Sequence, residues 1–174
     1  MRAGPFEVAV AALWGLVAWL WAGGDLPGWW VPTACVLLWV SVPLVVVDVR
    51  HQRLPDALTV GVLPLLSAAL AVAALGGGGW ALVLRALVGA GVFLAVHILV
   101  AALRPGALGG GDVKLALPVG AVLGVLGVEA LLLALVLASV ITLVLIASVP
   151  RWRRGAPHGP GMLGAACVLA VTAV

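Results

Sequence analysis

Apolar residues fall in long blocks along this chain, and the polar and charged residues are confined to the short gaps between them. Cutting at charges and at Gly/Pro clusters leaves runs at about 5–22, 29–47, 57–75, 80–103, 113–128, 130–149 and 161–174. Most approach the roughly 20 residues that carry an α-helix across a bilayer core. The run at 113–128 is short and contains Pro118. The last stops after about fourteen residues, or about 21 Å of helix, against a hydrocarbon core of about 30 Å. The pattern predicts an all-α, polytopic integral membrane protein of six to seven transmembrane helices, with residues 1–174 forming a single membrane domain. Trp29, Trp30, Trp80 and Trp152 fall at the ends of runs and are expected to anchor them at the membrane interface.

Composition sharpens this picture. The 174 residues are 65% hydrophobic and 9% charged, which excludes a soluble globule. The net charge of +3 is spread one to three residues at a time between apolar runs. It therefore reads as a topology signal, and no nucleic-acid partner is expected. Cys35 and Cys167 lie inside apolar runs without a CxxC pair, so they are expected to be free buried thiols. Ala22, Gly23 and Gly24 imitate a signal cleavage site, but an uncleaved signal anchor accounts for the same residues.

Arg2, Arg50, Arg53, Arg104, Lys114, Arg151, Arg153 and Arg154 occupy alternate loops. The loops around Asp25, Gly76 to Gly79 and Glu129 carry no basic residue. That asymmetry predicts a cytoplasmic N-terminus, with every basic loop in the cytoplasm. Arg85 lies inside the fourth run, near enough to its outer end to snorkel to the interface. His97 lies deeper in the same run and is expected to be neutral and hydrogen-bonded between helices. The glycines at 76–79 are expected to make an outer turn without a functional role.

Asp48, Asp56 and Asp112 all fall in predicted cytoplasmic loops at the ends of membrane runs. Asp56 follows Pro55 and precedes an apolar run, a position suited to capping the amides of a starting helix. Asp112 follows Gly109, Gly110 and Gly111, where a carboxylate can again serve as a cap. The glycines also leave room for backbone and substrate to approach closely. Asp48 supplies a second carboxylate at the same bilayer face. Two such groups suggest acid/base chemistry on water.

The stretch Asp48…Arg53-Leu54-Pro55-Asp56…Thr59, followed by Gly109-Gly110-Gly111-Asp112-Val113-Lys114-Leu115, resembles the prepilin peptidases, or type IV leader peptidases. These are membrane aspartyl proteases of the GxGD class. Pro157-His158-Gly159-Pro160-Gly161 is similar to the Pro-x-Gly-Pro turn before the family's last helix, with His158 where an apolar or aromatic residue is expected. The resemblance covers about residues 30–170. It implies Asp48 and Asp112 as the catalytic pair and Gly109 and Gly111 as the glycines of GxGD, with Pro55, Asp56 and Lys114 as supporting positions. It further implies no cofactor, no metal, and localisation in the inner (cytoplasmic) membrane with the active site facing the cytoplasm. Many bacterial members carry an N-terminal domain with two CxxC pairs that accompanies methylation. This chain has none, so a short, peptidase-only form is expected.

The implied substrates are type IV prepilins and pseudopilins, whose short basic leader lies in the cytosol ahead of an apolar helix in the bilayer. Arg50, Arg53, Arg104 and Lys114 would repel such a leader and are expected to face anionic headgroups, with tuning of the carboxylates a second role open to Lys114. Three other readings stay open on the residues. A divalent ion held by His51, Asp48, Asp56 and Asp112 lacks the usual ligand spacing. A small transporter or pilus-assembly platform subunit would pair Asp48 and Asp112 with Arg53 and Lys114. A presenilin-like protease usually has Tyr before its first aspartate, where this chain has Val47.

Overall fold

The computed structural model describes residues 4–52, 54–106, 108–152 and 156–174, and for Arg151 the backbone alone. Arg2, Arg53, Arg153 and Arg154, which entered the orientation argument, lie outside the described residues. All regular structure among the described residues is helical: α1 Pro5–Gly23, α2 Val31–His51, α3 Asp56–Ala73, α4 Gly79–Leu103, α5 Gly110–Leu126, α6 Val128–Ser148 and α7 Gly159–Thr172. Each of the seven apolar runs thus becomes one helix. A left-handed residue ends α1 at Gly24, whose N–H returns to the Leu20 and Trp21 carbonyls. Between α3 and α4 the wide turn Ala74–Gly78 reverses the chain, using positive φ at Gly77 and Gly79 that other residues rarely adopt.

Among the described residues, four segments are long and apolar enough to cross a membrane: Pro5–Gly23, Val31–His51, Asp56–Leu103 and Val128–Ser148. Asp56–Leu103, at 48 residues, contains both α3 and α4. The short helices α5 and α7 are the buried ones. Ala116, Val119, Val122 and Leu123 of α5 and Ala165, Ala166 and Ala170 of α7 are fully buried, whereas α1 buries only Val10 and Val17. Central helices surrounded by other helices need not match the bilayer thickness, so shortness here goes with a place in the core.

Small residues set the closest crossings. A Cβ on Gly120 of α5 would come 2.5 Å from Phe93 Cβ and 2.7 Å from the Gly89 carbonyl oxygen on α4. The two backbones meet there directly, as helices do in lipid, where dispersion and polar contacts replace the hydrophobic drive. Along α2 and α7 three hydrogen bonds mark the seam: Trp30 Nε1–H to the Ala170 carbonyl at 2.8 Å, Cys167 S–H to Ser41 Oγ at 3.2 Å, and Gly159 N–H to Asp48 Oδ2 at 3.1 Å.

Two of the expected interface anchors are interior residues. Trp30 is fully buried, its N–H spent on α7, and Trp152 is also buried, while Trp80 is 80% exposed. Cys35 and Cys167 are free thiols, half-buried rather than fully enclosed.

Candidate active site

Asp48 sits one turn before the end of α2, and Asp112 occupies the third position of α5. Both are buried, at 4% and 8% exposure. Helix α7 begins beside them at Gly159, whose amide is among the first-turn N–H groups that no carbonyl of its own helix can accept. That N–H donates to Asp48 Oδ2 at 3.1 Å. The two carboxylates are close enough to feel each other's charge. Two helix N-termini, those of α5 and α7, therefore converge on the pair, each presenting unpaired amides and the positive end of its dipole.

The GxGD stretch has a geometric reading. Gly109 is the N-cap of α5, and its N–H donates to Asp112 Oδ2 at 3.2 Å. Asp112 is thus a capping-box partner reaching back from the third position, and not the N-cap residue itself. Gly111 lies against the chain before α3: a Cβ there would fall 2.7 Å from Leu54 Cβ and 3.1 Å from the Leu54 carbonyl oxygen. At Gly110 a Cβ would meet nothing within 4 Å. A Cβ on Gly109 would press on Asp112 Oδ2 at 3.3 Å, so of the three glycines Gly111 is the most tightly enclosed, Gly109 less so and Gly110 not at all.

Asp56 does not join the pair. It is the first residue of α3, with Pro55 as the N-cap residue and no side-chain capping bond, which corrects the expectation that its carboxylate caps that helix. Its carboxylate instead takes Lys114 Nζ at 2.6 Å, both side chains largely exposed. Lys114 accordingly reaches Asp56, tying the start of α3 to the first turns of α5.

A second polar group lies behind Gly159. Thr142 on α6 spends its single hydroxyl proton on the Ala138 carbonyl at 2.8 Å, so its oxygen accepts from His158 Nδ1–H at 3.2 Å. Burial pushes the His158 imidazole below its ordinary value, which keeps it neutral. His97 of α4 stands 6.0 Å from it, ring centre to ring centre. The expected hydrogen bond of His97 to another helix is replaced by one from its Nδ1–H to the Phe93 carbonyl of its own helix, at 2.8 Å. Gly159, Leu54 and Thr142 were not singled out by sequence reasoning. Only the Pro-x-Gly-Pro turn hinted at the first of them.

A bundle of apolar helices thus carries a buried carboxylate pair at one end. Residues 35–147 match the type IV leader peptidase family, and the chain belongs to that family. The matched stretch includes Asp48, Asp56, Gly109, Gly111 and Asp112, and it ends before Gly159. No curated protein and no solved structure matches the chain.

Proposed function

We propose that this member of the family is a membrane aspartyl endopeptidase that removes the short basic leader of type IV prepilins or pseudopilins, with Asp48 and Asp112 as its catalytic pair. The observation that carries the reading is the buried pair itself: two carboxylates from distant parts of the chain come close enough to feel each other's charge, with Asp48 held by the Gly159 N–H and Asp112 by the Gly109 N–H. Carboxylates so placed cannot both ionise cheaply, so they hold one proton between them. The ionised partner takes a proton from water as it attacks the scissile carbonyl, and the protonated partner donates to the oxyanion that forms. The amides of Gly159 and Gly109 hold the pair in register through this exchange.

In this reading the chain crosses the membrane six to seven times with its N-terminus in the cytoplasm. The carboxylate end then faces the cytosol, where a leader joins its apolar helix. Arg50, Arg104 and Lys114 sit at that same end and favour the anionic inner leaflet. The transporter or platform reading pairs Asp48 and Asp112 with Arg53 and Lys114; Lys114 is engaged by Asp56, and Arg53 lies outside the described residues. Detergent-purified protein incubated with a pilin-like precursor, with the products mapped by mass spectrometry, tests the proposal. Cleavage at the leader junction, unchanged by chelator, is the expected result. An intact precursor, or cleavage abolished by chelator, would reject it.

A further inference from the structure

Gly159 carries no side chain with which to hold its own amide in place, and the N-cap of α7 makes no side-chain capping bond. The fixed point nearest in sequence is His158, whose Nδ1–H is bonded to Thr142 Oγ1 on α6. That bond joins the residue immediately before the Asp48 donor to a helix whose position does not depend on α7's first turn alone.

The surroundings make Thr142 a rigid anchor. Its hydroxyl is locked by the Ala138 carbonyl, and a Cβ on Gly161 would fall 2.5 Å from both Thr142 Oγ1 and the Ala138 oxygen. The first turn of α7 therefore rests directly on this part of α6. His97, itself fixed to the Phe93 carbonyl, stands beside the His158 ring. Imidazole supplies here what an apolar or aromatic ring at the same place would lack, a directional bond across the α6–α7 contact.

We propose that His158 is a positioning residue, tying the turn before α7 to α6 through Thr142 so that the Gly159 N–H stays aimed at the Asp48 carboxylate. This role rests on the aspartyl peptidase reading, because it assigns His158 no contact with substrate and no proton transfer of its own. A loosened turn leaves substrate binding intact and misplaces the donor during the chemical step, so the effect belongs in kcat.

The test uses the full chain in detergent and a pilin-like precursor, with Thr142→Val, His158→Phe, the double variant and His158→Asn, all verified as monodisperse and helical. Thr142→Val and His158→Phe should each lower kcat about tenfold with KM within about twofold. The double variant should be no slower than either single one, since both remove the same bond. His158→Asn, which offers an N–H near the Nδ1 position, should keep at least about half of the wild-type kcat. Wild-type kcat in the single variants, multiplying losses in the double, or an Asn variant as slow as the Phe variant would each overturn the positioning role. Should Thr142→Val fail to fold, the Phe and Asn variants decide the matter alone. Wild-type cleavage with an inactive Asp112→Asn control keeps the peptidase reading standing whatever the His158 variants do. Absence of wild-type cleavage overturns both.

Discussion

Two pairs of residues at the same end of the bundle put aspartates to opposite uses. Asp48 and Asp112 are buried, at 4% and 8% exposure, and each accepts from a backbone amide at a helix start, Gly159 for Asp48 and Gly109 for Asp112. Asp56 and Lys114 stand in solvent or at the headgroups, with side chains 72% and 49% exposed, and neutralise each other at 2.6 Å. Asp48 and Asp56 lie in one short stretch of sequence, as do Asp112 and Lys114, so proximity along the chain does not separate the two roles. Depth and partner do. A carboxylate facing a cation in water is at rest, whereas one facing another carboxylate in a buried site is held ready to exchange a proton.

The contrast can be broken most sharply at the buried pair, where Asp48→Asn or Asp112→Asn should each slow leader cleavage by about 10²–10⁴-fold, the range of general acid/base catalysis, with the helical fold retained. Gly159→Ala comes next. Its Cβ would fall 2.5 Å from Asp48 Oδ2 and 3.4 Å from Asp48 Cγ, pushing the carboxylate off its donor. A loss of about 10²-fold in kcat, read from steady-state rates, is expected for a displacement of that size. Gly111→Ala forces a methyl against Leu54 and should destabilise the protein by about 1–3 kcal/mol in detergent unfolding, while Gly110→Ala, with open space around it, should leave stability unchanged. The smallest effects belong to the exposed pair. Asp56→Asn and Lys114→Ala should each change stability by less than about 1 kcal/mol and cleavage by less than about twofold.

Much of this arrangement is legible in the sequence, for stated reasons. Long apolar runs punctuated by charge and glycine locate all seven helices, including the short α5 and α7. The motif residues Asp48, Gly109, Gly111 and Asp112 gather at one place, with Gly111 closed in by Leu54 and Gly109 against the Asp112 carboxylate. What stays hidden does so for separate reasons. Gly159 acts through its backbone, which carries no residue-type signal, and the partner of Asp56 lies 58 positions away in sequence. Trp30 shows a third limit: in a chain whose lipid-facing and core-facing surfaces are both apolar, hydropathy does not tell an interface anchor from a buried ring bonded to Ala170. The fate of His97 is similar, since its bond to Phe93 is a choice of rotamer within its own helix.

The most direct test of the account is a single cleavage assay on a pilin-like precursor with wild type, Asp48→Asn, Asp112→Asn and Asp56→Asn, all purified in the same detergent and all folded. The account predicts that leader release is lost in the first two variants and persists at the wild-type rate in the third. Equal release by wild type, Asp48→Asn and Asp112→Asn would contradict it.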